Sequence, residues 1–257
     1  MASRAANSSG IAVTAAGPPV TEDRDGRPVR HFAAAVSAGS MAWAWARQES
    51  APHGATVIAD HEITPLGRLG QPWKRPPADT LTFAVVLRPN LDAEDADVPW
   101  LLGGLGAAEG IDALSDVSPA TWWPDGVVNR ADDQPVAALL SESQLAPGRV
   151  RGAVVTFRID MESLGLDPSR RDDLMAAILE AIDRATAQLE EDSAALAAAY
   201  QSRCALVGRR VKVRLRPQGE TRGEVAGIDA RGRLQLGSGT GMVERITVDM
   251  LRDVELV

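Results

Sequence analysis

At 257 residues the chain is long enough for one large core and a small second domain. A net charge of -8 argues against nucleic acid as the main partner, because phosphate binding needs a positive field. Cys204 is the one cysteine, so no internal disulfide forms and a soluble, cytoplasmic protein is expected. No apolar run reaches the roughly 18 residues of a membrane-spanning helix, so no membrane partner is expected.

The first 28 residues are rich in small and polar side chains. Their apolar run at 11–16 is too short for a secretory signal. A segment of this composition buries too little surface to offset the entropy lost on ordering. Residues 1–28 are therefore predicted to be a disordered tail, with order beginning near Val29.

Beyond the tail, helical and strand patterns are interleaved. Helices are predicted within 32–48, starting near Ser37 or Ser40, at 99–114, and from Asp167 onward, with 194–200 continuing that helix or starting another. Apolar runs predict strands at 55–59, 81–87, 136–141 and 153–159. Glycines and prolines at 64–77 predict a loop.

The composition changes at Gly208. Residues 208–257 carry ten Lys/Arg and seven Asp/Glu, against the acidic balance of the whole chain. Short alternating strands with glycine turns predict a small SH3-like β-barrel here. The sequence thus predicts an α+β fold with a mixed sheet and helices at 29–205, followed by the small domain at 206–257.

Residues 196–200, 208–211 and 227–234 carry a family resemblance. From about Val29 onward the order of elements resembles the biotin protein ligases, within the biotin/lipoate ligase family. The DNA-binding domain that some members carry at the N-terminus is not expected here. The resemblance implies that ATP activates a carboxylate vitamin, which then passes to a lysine of a carrier protein.

Two motifs of that family are partly retained. The first, Ser-Thr-Asn at the first helix, keeps only Ser37. The second is a loop, Gly-Arg-Gly-Arg-x-Gly and then tryptophan, that folds over phosphates. Here it keeps Gly67, Arg68, Gly70 and Trp73, but proline and leucine replace its first glycine and arginine. Proline removes an N–H donor and stiffens the loop.

Two further motifs keep less. The turn Lys-Trp-Pro-Asn-Asp is matched at 122–126, where Trp123 and Pro124 remain. Asp125 stands where the motif has asparagine and is a candidate for one polar role. The phosphate-contacting lysine of the following strand is replaced by Pro135. The strand Gly-x-Gly-x-Asn, which lets backbone approach the ligand, corresponds to 156–160, where larger side chains fill the space.

The candidate ligand-binding residues are Ser37, Gly67, Arg68, Gly70, Trp73, Trp123, Asp125 and Arg158. Arg68 binds an anion if the loop is used, and is otherwise a loop arginine in water. Arg158 shares a strand face with Thr156 and Asp160. It either supplies positive charge for a different acidic ligand or pairs with Asp160 and plugs the pocket. Lys74 and Arg158 are the possible substitutes for the missing catalytic lysine.

Several other residues have structural interpretations. Trp122 and Trp123 are more typical of packing than of ligand stacking, and Cys204 is interpreted as structural. No metal site is predicted, because the histidines are scattered at positions 31, 53 and 61. A basic strand face either touches nucleotide phosphates or an acidic carrier domain, or is a solvated edge; it comprises Arg210, Lys212, Arg214 and Arg216.

The eroded motifs favour loss of catalysis, since one preorganised donor at a transition state is worth about 2.7–4 kcal/mol. The leading hypothesis is a degenerate ligase paralogue acting as a binding or regulatory module for a carrier domain, a ligase-like partner or a small carboxylate. The alternative is an active biotin–protein ligase, or a related carboxylate-adenylating ligase, with a rebuilt site that uses ATP and biotin. A third hypothesis is a structural subunit of a larger assembly.

Overall fold

The computed structural model describes residues 19–24, 26–73, 79–239 and 241–257. Eight strands of this part of the chain form one large sheet: β1 Val20–Arg24, β2 Arg27–Phe32, β3 Thr56–Ala59, β4 Thr80–Leu87, β5 Pro119–Trp122, β6 Gly126–Asn129, β7 Pro135–Ala146 and β8 Arg149–Asp160. Their order across the sheet is β1-β2-β3-β4-β8-β7-β6-β5. β2 and β3 are parallel, whereas the other neighbours are antiparallel, so the sheet is mixed as predicted.

Four helices cover this sheet: α1 Ala38–Gln48, α2 Val98–Asp112, α3 Arg171–Glu191 and α4 Ser193–Arg203. Alternation along β8 separates two cores. Val154 packs with α1 on one face, whereas Val155 and Phe157 belong to the larger cluster with α2 and α3 on the other. Asp192 ends α3, and its carboxylate accepts the N–H of Ala194. This cap makes α4 a separate helix, which settles the choice left open at 194–200.

The second sheet contains five antiparallel strands: β9 Arg210–Leu215, β10 Glu220–Ile228, β11 Leu234–Gly237, β12 Val243–Ile246 and β13 Leu251–Leu256. They pair in the order β12-β11-β10-β9-β13. Closure of these strands into an SH3-like barrel stays a prediction, as does the boundary at residue 206.

The basic face of β9 is matched by acidic side chains of β13. Lys212 lies 2.8 Å from Glu255, and Arg214 lies 3.2 Å from Asp253 and 3.0 Å from Glu255. These pairs are partly exposed, so each contributes little stability. The pairing favours the interpretation of this face as a solvated edge.

The predicted disordered tail is wrong for residues 20–24 and 26–28. β1 pairs with β2 from Val20 onward, so ordered structure begins before Val29. Arg24 bonds Asp172 at 2.9 Å, and Arg27 pairs with Asp183, which ties this edge of the sheet to α3. The local composition did not reveal that these residues are ordered, because the α3 side chains that hold them lie far along the chain. Residues 1–18 lie outside the described residues. Within the described part of the chain, no helix is long and apolar enough to cross a membrane.

The two sheets share one continuous hydrophobic cluster. Hydrogen bonds at buried or half-buried positions also join the small sheet and its loops to the rest of the chain. The Trp123 indole donates to the Gly232 carbonyl at 2.9 Å, and the Val248 N–H donates to Asp97 Oδ2 at 2.9 Å. The small sheet is therefore docked by specific polar contacts as well as by apolar packing.

Asp97 makes this junction sensitive to pH. Burial raises the pKa of its carboxyl from 3.8 to about 6, and the Val248 N–H only partly offsets the effect. Because the folded pKa is raised, Asp97 stabilises the fold below pH 4, and this contribution is lost as the pH rises through 6.

We expect Asp97→Asn to be more stable than the wild type at pH 7.5, by about 1–3 kcal/mol. The amide oxygen still accepts the Val248 N–H but carries no buried charge. The gain should shrink toward pH 4, where Asp97 is protonated. Denaturant unfolding at several pH values measures it, and an equal difference at pH 4 and 7.5 would contradict the assignment.

Candidate functional site

The N-terminus of α1 forms one wall of a cleft. Ser37 is the N-cap residue: its Oγ accepts the Ser40 N–H at 3.1 Å. The preceding donor, the Ala38 N–H, is bound by Glu62 Oε1 at 2.8 Å. Ser37 thus caps the helix, and a carboxylate from the loop after β3 accepts the hydrogen bond of the adjacent N–H group.

Glu62 is the residue that sequence reasoning missed. Its other oxygen, Oε2, accepts from Arg158 Nε at 2.6 Å, and both side chains are only 4% exposed. Two charges so far from water are tolerated because they neutralise each other. A buried ion pair therefore joins the α1 N-terminus to β8, and its Arg158 lines the cleft.

The predicted pair between Arg158 and Asp160 is wrong. Asp160 instead accepts the Ser163 N–H at 3.1 Å and the Ser163 hydroxyl at 2.5 Å. Asp160 is the last residue of β8, where the turn that follows offers it closer donors. The buried arginine indicated that an acidic partner was needed, but nothing in the local sequence pointed to residue 62.

Arg158 lies on the predicted strand face. The register pairs Thr156 with Ala84 of β4 and with Leu140 of β7. Thr156 contacts the start of α1: a Cβ added to Gly39 would lie 2.5 Å from its Oγ1. That Oγ1 is buried and has no hydrogen-bond partner in the part of the chain that the structure describes.

The cleft runs along α1 above β7 and β8, with a volume of about 510 Å³. Apolar groups on its walls include Trp43, Leu66 and Leu140. The Arg47 guanidinium lies 4.8 Å from the centroid of the Trp43 ring, and Glu142 lies on the opposite side. The cleft can accept a small molecule with both an apolar and a polar part.

The loop before β4 closes on itself. Its backbone N–H groups at Gly67, Gly70, Gln71 and Trp73 all donate to carbonyls of the same loop. Gly70 has a φ of +68°, which glycine adopts without strain. These donors are the ones that a phosphate-binding loop would offer to its ligand, so in this conformation they are already used.

Arg68 and Asp125, two of the predicted ligand-binding residues, bind each other. Arg68 Nε donates to Asp125 Oδ2 at 2.9 Å, and its terminal nitrogens donate to the Leu251 and Arg252 carbonyls at 2.5 and 2.8 Å. All three nitrogens of the guanidinium are thus engaged. Arg68 fastens the loop to β13 and is not presented to the cleft.

The remaining predicted residues divide between the cleft and the core. The Trp73 ring centroid lies 5.8 Å from the Arg158 guanidinium, so Trp73 lies beside the buried ion pair. Trp123 is completely buried in the core cluster, which favours the packing interpretation. Lys74 lies outside the described residues.

Cys204 is buried, and this burial raises the pKa of its thiol above the ordinary value. Such a thiol is a poor nucleophile at neutral pH. Within the described ranges, no three His, Cys, Asp or Glu side chains are grouped closely enough to hold a metal ion.

Comparison with solved structures defines the class of fold. The structure matches the biotin protein ligase from Aquifex aeolicus in complex with biotin and ATP with a TM-score of 0.71 and 18% identity, covering 89% of this chain and 99% of that one. Residues 206–248 match the family described as the biotin protein ligase C terminal domain. The chain therefore has the α+β fold of the biotin ligases, followed by their C-terminal domain.

Sequence relatives agree with this class. The biotin–[acetyl-CoA-carboxylase] ligase of Mycobacterium tuberculosis is 27% identical over 204 residues, covering 72% of this chain and 74% of the relative. The bifunctional ligase/repressor BirA of Bacillus spizizenii is 24% identical over 141 residues, which are 53% of this chain. The match spans only 43% of that relative's length. The chain thus resembles the biotin protein ligases in sequence and in fold.

Proposed function

We propose that this protein is a family member that no longer forms an acyl-adenylate and acts as a binding or regulatory module. The observation that carries the proposal is the buried Arg158–Glu62 pair. It occupies the strand position at which the family resemblance implies an open, glycine-lined surface. An ion pair in that position takes up ligand space and consumes the positive charge of Arg158.

The chemistry of adenylation supports the same conclusion. Developing negative charge on the α-phosphate must be met by preorganised donors, each worth about 2.7–4 kcal/mol. Arg68 has its nitrogens bound, and the loop N–H groups are paired internally. The position of the phosphate-contacting lysine is Pro135, at the start of β7. A module that binds without activating its ligand needs none of these groups.

The partners that we propose are a carrier-protein domain, a ligase-like subunit or a small carboxylate, in the cytoplasm. The names of similar proteins support this choice. One relative is named a biotin–[acetyl-CoA-carboxylase] ligase, and one structural neighbour is a biotin protein ligase in complex with biotin and ATP. Nucleic acid is not proposed as a partner because the net charge is -8.

The test is a pyrophosphate-release assay with ATP, biotin or lipoate, and a carrier domain, run beside calorimetry of the same components. We expect no release above background, together with measurable binding of a carrier or a carboxylate. Turnover at the rate of an active biotin ligase run in parallel would overturn the proposal. If neither pyrophosphate release nor binding is detected, the protein is better explained as a structural subunit.

An active ligase with a rebuilt site is the second candidate. The observation that favours it is the position of Trp73 beside Arg158, because Lys74 follows Trp73 directly in the sequence. On this hypothesis Lys74→Ala abolishes pyrophosphate release. Arg68→Ala should do the same if Arg68 exchanges its present partners for phosphate.

A further inference from the structure

The turn at 248–250, between β12 and β13, is held from two sides, and we call it the docking turn. On one side its Val248 N–H donates to Asp97, the residue before α2, at 2.9 Å. On the other side, the Leu251 and Arg252 carbonyls accept the Arg68 guanidinium at 2.5 and 2.8 Å. The Leu251 N–H also donates to the Val248 carbonyl at 3.2 Å, so both contacts belong to one hydrogen-bonded turn.

Arg68 connects this turn to the loop beside the cleft. Its Nε donates to Asp125, in the turn between β5 and β6, so the guanidinium bridges the large sheet and the small one. Thr64 and Leu66 of the same loop line the cleft. Movement of the small sheet away from α2 would pull Arg68 from Asp125 or from β13. The loop would then lose one of its two anchors.

We propose that the small sheet controls the loop at 64–73. While the docking turn stays against Asp97, Arg68 holds the loop closed at the side of the cleft; when the turn undocks, the loop opens. Opening moves Leu66 and widens the cleft. This conformational device goes beyond the proposed function and does not depend on whether an acyl-adenylate forms. Its test and the pyrophosphate assay can therefore fail separately.

The charged groups that face Asp97 come from three elements. The docking turn contributes Asp249, whose carboxylate accepts the Thr247 hydroxyl. The turn between β10 and β11 packs so closely that a Cβ added to Gly232 would lie 2.9 Å from the Asp97 backbone. The other charges pair with one another: Arg233 with Asp229, and Arg231 with Glu94 and Asp95 of the segment before α2. Burial is therefore the main influence on the Asp97 carboxyl.

Ionisation of Asp97 weakens docking. Burial raises the pKa of its carboxyl from 3.8 to about 6 in the docked state, and undocking returns the carboxyl to water. Because the docked pKa is the higher one, docking is favoured below pH 4, and this preference is lost as the pH rises through 6. The ratio of open to closed loop should therefore rise about tenfold between pH 5 and 7.5.

Hydrogen exchange of the loop amides is the measurement. The N–H groups of Gly67, Gly70 and Gln71 are bonded within the closed loop, so their protection factors report how often it opens. In the wild type these factors should fall about tenfold from pH 5 to 7.5, once the intrinsic exchange rate is corrected for. In Asp97→Asn they should change much less, because the amide does not ionise.

An amide in the middle of the large sheet separates this opening from global unfolding. Val155 of β8 is paired with both β4 and β7, and its amide should exchange far more slowly than the loop amides. If the loop amides are as protected as Val155, the loop opens only when the whole protein unfolds. That result would overturn the proposal.

Two further variants complete the test. Asp116→Asn removes an exposed carboxylate beyond the other end of α2, so the loop should keep the pH dependence of the wild type. Arg68→Met frees the loop from β13, so its protection should be low at both pH values while the Val248 amide still responds to pH. The proposal is wrong if the loop stays protected in Arg68→Met, or if Asp97→Asn retains the full pH dependence.

Discussion

Arg158→Met is expected to lower the free energy of unfolding by about 3–5 kcal/mol, because it leaves the buried carboxylate of Glu62 without a counter-charge. The methionine keeps much of the apolar volume, so the loss reports charge more than packing. Combining it with Glu62→Gln should recover most of the stability, since neither charge then remains buried. Urea denaturation of the four proteins of this cycle gives the coupling energy directly.

Arg47→Met is the matched control for that cycle. Arg47 lines the same cleft, but it is exposed and contacts the Trp43 ring instead of a carboxylate. Its loss should cost no more than about 1 kcal/mol. If the two arginine variants lose the same stability, the Arg158–Glu62 pair is not the buried interaction that we describe.

Trp123→Ala should cost about 3–5 kcal/mol, as expected for removal of a large side chain from a packed core. Trp123 is fully buried, and its indole N–H bonds the Gly232 carbonyl of the C-terminal domain. The substitution therefore leaves a cavity and an unpaired carbonyl at the junction of the two sheets. Because the core cluster is continuous across that junction, unfolding of the wild type should be a single transition.

The neighbouring tryptophan offers the comparison. Trp122 is only partly buried and packs at the margin of the cluster, so Trp122→Ala should cost clearly less than Trp123→Ala. Thermal denaturation followed by tryptophan fluorescence and by far-ultraviolet circular dichroism measures both variants. Equal losses would show that Trp123 does not join the two sheets in the way proposed.

The position of Arg68 changes how the retained motif residues are understood. In the sequence, Gly67, Arg68, Gly70 and Trp73 are remnants of a phosphate-binding loop. In the structure the same residues form a closed loop fastened to β13 by Arg68. Retention of these residues is thus explained by a structural role, which weakens the argument that they still serve ATP.

Local patterns were sufficient for most of the regular structure. The β4 and β8 strands, α2 and the long α3 helix follow from short apolar runs, helical periodicity and an Asp-Pro start, because these signals act over a few residues. Period-two alternation also placed Thr156 and Arg158 on the face that meets α1. The same reasoning missed β1 because its order depends on partners far along the chain.

The polar contacts of the cleft required the folded chain. Glu62 and Arg158 are 96 residues apart, and Arg68 and Leu251 are 183 apart. A long side chain bonds whichever group the packing of other elements brings within about 3 Å, and no periodicity encodes that distance. Strand alternation thus placed Arg158 on the face that lines the cleft, whereas its acidic partner was set by how the loop after β3 packs against α1.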